Sequence, residues 1–338
     1  MIKILYVLTS DDSDYYFERM FLSITSLRLR TPNAFISLLI DNITKINITG
    51  KRKKILDLIN EIISITIDER FDKKARSRFL KTSMRQHVAG DFVYIDSDTI
   101  IADDISSVAN VNIDIGAVLD AHVFLSEYEK YYPAKLNRMR KASAKIGFDS
   151  CFDSNIRYNG GVILCKDCTA SHNLFNEWHR LWLYSHGRGM ITDQQSFNQA
   201  NFNLGNIIEE LDGIWNCQIL DNGALRYLHD AKIIHYFATQ TADKPFLLAN
   251  KKYIEYIKST GSINSEIRTM LENPKTLFAS NTRLILVDKS LYAFYDSAIF
   301  GAGKRLYYTK MGNIIEFIFY RIRKYIFTPL RKKLAREK

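Results

Sequence analysis

Cysteine and proline are scarce in this sequence, and each scarcity excludes something. Four cysteines among 338 residues (Cys151, Cys165, Cys168 and Cys217) are too few and too scattered for a disulfide framework. Cys165 and Cys168 form a Cys-x-x-Cys pair, yet no second such pair and no His pair stands at metal spacing. They read as ordinary thiols of a reducing compartment. With five prolines and no Gly/Ser-rich run, nothing marks a flexible interdomain linker, and no internal repeat is present. No apolar run reaches the ~20 residues of a membrane-spanning helix. The apolar start, Met1 to Leu8, is too short for a signal-peptide core and runs into Asp11-Asp12-Ser13-Asp14. These absences predict a globular protein kept in the cytoplasm.

Excess positive charge is also scarce, except at one end. The net charge is +10, but Lys304 to Lys338 hold eleven Lys/Arg and two Glu, a net of +9. The other residues together carry +1, which argues against a nucleic-acid surface, and no zinc-finger, RNP-like or helix-turn-helix signature appears. Within the tail, Ile314, Ile315, Ile318, Phe319, Ile322, Tyr325 and Ile326 recur at helical spacing. Arg321, Arg323, Lys324, Arg331, Lys332 and Lys333 flank that stripe. A basic helix with a bulky apolar face suits the headgroup layer of an anionic membrane. The competing expectation is a core-packed helix whose charges face water.

Upstream, strand and helix patterns alternate. Strands are expected at Lys3–Leu8, Ala34–Ile40, Ile62–Ile67, Asp91–Ile95, Gly116–Asp120, Gly160–Cys165 and Lys232–Tyr236. Helices are expected over Tyr16–Leu29, from near Lys51, and over Arg76–Val88, Tyr128–Lys145 and Ser171–His186. Such alternation predicts an α/β fold with a parallel sheet covered on both faces, its ligands beyond the carboxyl ends of the strands. Residues 1–250 form the expected main domain. Residues 251–338 form a mainly helical region ending in the basic tail of about 304–338.

Asp96-Ser97-Asp98 stands at one such strand end, between the apolar Val93-Tyr94-Ile95 and Thr99-Ile100-Ile101. Two carboxylates in so apolar a segment require a cation or strong donors. Hard divalent ions accept carboxylate oxygens and share their remaining positions with phosphate. A lone Asp-x-Asp means little, and Asp12-Ser13-Asp14 supplies a second, read as a loop or helix start.

Tyr94-Ile95-Asp96-Ser97-Asp98-Thr99 resembles the signature of GT-A glycosyltransferases, closest to family 8, which contains lipooligosaccharide galactosyltransferases. Four further segments match that family in order: Ser77-Arg78-Phe79-Leu80-Lys81, Tyr158-Asn159-Gly160-Gly161-Val162, Asp193-Gln194-Gln195, and His235-Tyr236 followed by Asp243-Lys244-Pro245-Phe246. Gln195 stands where the family has Asp. His235 and Lys244 are farther apart than usual, with no glycine between them.

The resemblance implies a GT-A, Rossmann-like nucleotide-diphospho-sugar transferase fold. It also implies that Asp96, Asp98 and His235 ligate Mn²⁺, with Mg²⁺ as the alternative, on the diphosphate of UDP. Lys244 would add a point charge to the phosphates. Arg78 would border the nucleotide, although a surface arginine accounts for it nearly as well. Thr9 and Asp11 resemble the uracil–ribose site, and a capped polar loop explains them equally. Asn159 and Asp193 would bind sugar hydroxyls, with the backbone of Gly160 and Gly161 close by. Gln194 would lie beneath the anomeric carbon, and the family retains anomeric configuration. A neutral amide is a poor nucleophile, so no covalent intermediate is assigned.

The expected function is transfer of galactose or glucose from a UDP-sugar to a glycan or glycolipid acceptor, such as a lipopolysaccharide or capsule precursor. The site of action is the inner face of the plasma membrane. Two rivals remain. A sugar nucleotidyltransferase would carry a Gly-rich basic loop after the first strand, where this chain has Thr9-Ser10-Asp11-Asp12-Ser13. A non-catalytic, membrane-peripheral binding protein would have no reason to keep Asp96, Asp98, Asn159, Asp193 and His235 together.

Overall fold

A computed structural model describes residues 3–131, 133–219, 224–237, 246–277, 297–307, 309–322 and 325. The chain divides into two compact units, residues 1–284 and 285–338.

The first unit is built on a seven-stranded sheet of β1 (Lys3–Leu8), β2 (Phe35–Asp41), β3 (Glu61–Ile65), β4 (Phe92–Ile95), β6 (Ile115–Leu119), β7 (Tyr158–Cys165) and β8 (Glu209–Glu210). Its order is β3-β2-β1-β4-β7-β6-β8. A small second sheet joins β5 (Thr99–Ile101), β10 (Ile233–His235) and β9 (Cys217–Gln218), in that order.

Strand periodicity explains the two-sided core. Along β1, Ile4, Tyr6 and Leu8 enter one apolar cluster while Leu5 and Val7 enter another. The first cluster receives Phe17, Met20, Ile24 and Leu27 from α1 (Tyr16–Arg30). The second receives Leu80 and Met84 from the helix of Lys73–His87, and Leu174, Phe175 and Trp178 from that of Thr169–His186. A strand covered on both faces has no polar side, which is why β1 and β4 read as continuous apolar runs. The short helix after β2 is α2 (Asn42–Asn47), and the helix of Lys73–His87 is α3. Asp72 caps α3 by accepting from Ala75 N–H at 2.7 Å.

Three expectations change. The basic run near Lys51 forms a 3-10 helix, Gly50–Leu58. Lys51 and Lys54 both turn outward from it to donate to backbone carbonyls, of Ser259 and of Thr260 (3.3 Å) respectively. The expected helix over Tyr128–Lys145 is two, α4 (Leu125–Tyr131) and α5 (Pro133–Ala144), because Pro133 cannot continue one helix but opens the next. Third, the sheet is mixed: β7 runs antiparallel to both β4 and β6. Its amino end therefore lies on the rim where β4 ends.

The remaining helices of the first unit are α6 (Thr169–His186), α7 (Gln194–Asn203), α8 (Leu225–Leu228), α9 (Lys251–Thr260) and α10 (Ser265–Glu272). Tyr253, Ile254, Ile257, Ile267, Met270 and Leu271 of α9 and α10 share the apolar cluster of Ile4 and Tyr6.

In the second unit, described by itself, α11 (Ala298–Tyr307) precedes α12 (Lys310–Ile322). Helix α12 exposes Ile314, Phe317, Ile318, Phe319 and Tyr320. Among the described residues, none of these side chains joins an apolar cluster. Ile326, Arg323, Lys324, Arg331, Lys332 and Lys333 lie outside the described residues, and so does Lys244. No described helix is long and apolar enough to cross a membrane.

Candidate active site

Strand pairing assembles the acidic turn. After β4, Asp96 N–H donates to Gly161 O at 2.8 Å, which extends the β4–β7 ladder into the turn. Thr99 Oγ1 closes the turn on Asp96 O at 2.8 Å, and Tyr236 N–H donates to Asp98 O at 3.1 Å. In the small sheet, Thr99 stands opposite His235. The turn is thus tied to β7 on one side and to β10 on the other. Ligand atoms of Asp96, Asp98 and His235 fall within 4.8 Å of one another, with His235 Nε2 3.3 Å from Asp98 Oδ1.

Cationic side chains meet these carboxylates from α3. Lys81 Nζ donates to both oxygens of Asp96, at 2.9 and 3.2 Å, and stands 3.7 Å from Asp193 Oδ2. Arg78 Nε pairs with Asp193 Oδ1 at 2.9 Å. Arg78 and Lys81 are one turn apart, so α3 presents them on one face. Tyr94 donates its hydroxyl to Asp96 Oδ1. Burial alone raises the Asp193 carboxyl, but Arg78 and then Lys81 outweigh it and hold the group below the usual carboxylate range.

Sequence reasoning missed Lys81, although its signal lay in the motif: a second basic residue three positions after Arg78. Tyr94 carried no signal, because its hydroxyl looked like one more strand aromatic.

The amino end of β7 supplies Asn159, Gly160 and Gly161. A Cβ on Gly161 would stand 2.5 Å from His235 Cε1 and 2.9 Å from Asn159 Oδ1, so a glycine is required there. At Gly160 the nearest atom, Gln194 Oε1, is 3.6 Å away, an ordinary contact. Gln194, the first residue of α7, accepts from Gly160 N–H at 3.3 Å and donates to Tyr158 O. Both ends of its amide are tied to β7.

Thr9 and Asp11 follow β1 on the same rim, which the parallel β1–β4 pairing dictates. They belong to a local network around Lys73. Thr9 Oγ1 donates to Lys73 O at 3.2 Å, and Lys73 Nζ pairs with Asp11 at 3.0 Å and Asp14 at 2.7 Å. Ser13, donating to Asp11, and then Lys73 hold the Asp11 carboxyl low. The second Asp-x-Asp is thus a polar strand-to-helix loop. Cys165 and Cys168 are free thiols. Burial pushes the Cys165 thiol up to about 11.

The Asp96, Asp98 and His235 donors suit a divalent cation. Two carboxylates and one imidazole are hard-to-borderline ligands of the kind Mn²⁺ and Mg²⁺ accept. His235 Nδ1 bonds to Asn216 Oδ1 at 3.0 Å, leaving Nε2 toward Asp98. Burial lowers the His235 pKa, but the Asp98 carboxylate outweighs it and the net direction is upward. Lys81, bonded to both oxygens of Asp96, holds the positive charge that a cation would share there.

Comparison of the sequence with protein-family models and with curated proteins finds no match. Comparison of the fold does. The galactosyltransferase LgtC, crystallised with donor and acceptor sugar analogues, superposes with a TM-score of 0.50 at 13% identity, over 79% of this chain and 99% of that one. An active-site mutant of LgtC gives 0.52 at 14% identity, again over 79% and 99%. The fold is therefore the GT-A glycosyltransferase fold that the motifs implied, with a mainly helical C-terminal region.

Proposed function

We propose that the chain is a divalent-cation-dependent glycosyltransferase that moves a hexose, galactose or glucose, from a UDP-sugar to a membrane-anchored glycan acceptor. The observation that carries this reading is the Asp96–Asp98–His235 cluster at the carboxyl rim of a GT-A sheet. Asp96, Asp98 and His235 would hold Mn²⁺, or Mg²⁺ in its place. A cation bound there supplies Lewis-acid stabilisation of the leaving diphosphate.

The chain's own groups do the rest. Arg78 and Lys81 keep Asp193 ionised, so its carboxylate can accept from sugar hydroxyls. Asn159, one residue before the glycine pair, has one Nδ2 hydrogen beyond its bond to Asp120 and would donate it to a sugar oxygen. Gln194, its amide tied to β7, forms a neutral and rigid floor below the reacting carbon. That supports retention of configuration without a covalent intermediate. Thr9 and Asp11, on the rim beside β4, mark the nucleoside end. Lys244 would contribute a phosphate contact.

The second unit gives the acceptor class its support. Helix α12 exposes large apolar side chains (Phe319 is 63% accessible), and a +9 segment surrounds it. Apolar insertion and attraction to anionic lipid act together on such an element. It would hold the enzyme at the inner membrane face, where lipid-linked lipopolysaccharide or capsule precursors are built.

A thermal-shift screen of nucleotide sugars with Mn²⁺ tests the reading. UDP-hexoses are expected to stabilise the protein, and Asp98→Ala to lose both that shift and donor hydrolysis. Stabilisation by GDP- or CMP-sugars instead would overturn the donor, and metal-independent activity of Asp98→Ala would overturn the cation.

A further inference from the structure

Behind His235 a chain of side-chain hydrogen bonds runs across three elements. Asp120 follows β6, and its carboxylate accepts from Arg157 Nε at 3.1 Å and from Asn159 Nδ2 at 3.2 Å. Asn159 Oδ1 accepts from Gly161 N–H at 2.9 Å and from Asn216 Nδ2 at 3.0 Å. Asn216 Oδ1, 3.0 Å from His235 Nδ1, completes the chain. Asn216 is fully buried and His235 is 2% exposed, so water cannot freely substitute between Asn159, Asn216 and His235.

The direction of this chain follows by elimination. A carboxylate held by an arginine accepts only, so the Asn159 atom facing Asp120 must be the amide nitrogen. Gly161 N–H is a backbone donor that cannot be reversed, so the Asn159 atom facing it must be the oxygen. These two anchors orient Asn159 independently and agree. The Asn216 atom facing that oxygen must then donate, which turns the Asn216 oxygen toward His235. The imidazole nitrogen facing it must carry the proton. With Nδ1 committed to Asn216, Nε2, 3.3 Å from Asp98 Oδ1, is the nitrogen whose lone pair is free for a cation once any proton shared with Asp98 is displaced.

We infer that Asn216 is a positioning residue. It passes the polarity set by Asp120 and Gly161 to His235, and so presets the imidazole as a metal ligand through Nε2. The inference rests on the cation reading above. It assigns Asn216 no contact with substrate or metal. A buried amide with one acceptor and two donors fits the role better than a carboxylate, which accepts only and would face Asn159 Oδ1 oxygen to oxygen.

The test compares Asn216→Leu with Asn216→Asp by Mn²⁺ titration, read by electron paramagnetic resonance on the full chain. Leucine fills the space but cannot accept from Nδ1–H. Asparagine's role in orienting a ligand predicts roughly a 10–100-fold loss of Mn²⁺ affinity. Aspartate keeps the acceptor for Nδ1–H but loses the bond to Asn159 Oδ1, and is expected to restore part of it. A purely structural residue predicts the reverse order, because a buried carboxylate is harder to place than leucine. Equal affinity of Asn216→Leu and parent, or Asn216→Asp weaker than Asn216→Leu, overturns the inference. Nitrogen-15 NMR of labelled histidine, with Mg²⁺ added to occupy the Asp98 side, decides it without any variant of Asn216. His235, assigned through His235→Gln, should carry a proton on Nδ1 in the parent; an Nδ1 without a proton overturns the inference. A parent that binds no Mn²⁺ overturns the cation reading instead, and the NMR result still decides the role of Asn216.

Discussion

Two adjacent glycines on β7 offer a sharp perturbation, because their neighbours differ. A Cβ at Gly161 would meet His235 Cε1 at 2.5 Å, His235 Nδ1 at 2.8 Å and Asn159 Oδ1 at 2.9 Å. Carbon contacts relax near 3.5–4.0 Å, so in Gly161→Ala the imidazole must retreat by roughly 1 Å. Little allows it to do so. Asn216 holds its Nδ1, and the Phe237 ring lies 4.0 Å away, centroid to centroid. Disturbing the groups that orient a metal ligand typically costs about 10–100-fold in affinity. A ~1 Å misplacement can cost about as much again in turnover, near 10²-fold. Gly160→Ala is the control, since its Cβ would make an ordinary 3.6 Å contact and should leave Mn²⁺ binding intact. The assay is Mn²⁺ titration by electron paramagnetic resonance, with circular dichroism to check folding. A folded Gly161→Ala that binds Mn²⁺ as tightly as the parent would refute this reasoning.

Lys81→Met leaves Asp96 without its ammonium partner. It should lower metal-free stability by about 1–2 kcal/mol in denaturant melts, below the scale for a fully buried pair because Asp96 is half-buried and keeps the Tyr94 hydroxyl, and added Mn²⁺ should recover part of that loss. Deleting residues 312–338 should release the protein from phosphatidylserine-containing vesicles in a sedimentation assay while sparing donor hydrolysis; equal binding by the truncated form would remove the membrane role. His122 is buried, and desolvation followed by Arg226 lowers its pKa to about 4. The unfolded chain then binds the extra proton first, so stability should fall as pH drops from about 6.5 toward 4, by up to roughly 3 kcal/mol. Buried His179, also lowered to about 4, should act in the same direction. His122→Gln should flatten this dependence in denaturant melts at pH 7 and 4.5.

Much of the fold was readable because β1, β2 and β4 are covered on both faces and so appear as bare apolar runs. Period-2 and period-3.6 patterns then placed α1, α3 and α6 within a few residues. The reversal of β7 was not readable, since an apolar strand looks the same in either direction. Yet that reversal brings Asn159 and Gly161 beside Asp96. Asp96, Asp98 and His235 could be picked out only as ordered motifs, and three-residue pairing between β5 and β10 joins them in space. Lys81 was within reach through helix spacing. Asn216 and Asp120 were not, because a lone amide or carboxylate gains meaning only from what it faces.

That short pairing between β5 and β10 has a consequence for the whole first unit. The acidic turn comes from the first third of the chain and His235 from well past its middle, with β6, β7, α6 and α7 in between. A cation held by both ends would clasp shut a loop running from residue 98 to residue 235. Beyond the clasp come α9 and α10, whose side chains complete the core beneath β1. Clasping so long a loop removes more conformational freedom from the unfolded chain than clasping a short one, although the gain grows only logarithmically with length. Binding to the native state alone would then add stability that grows with free metal concentration. An ion bound there would serve as a rivet in the architecture, and scarcity of metal would loosen the protein before the site emptied.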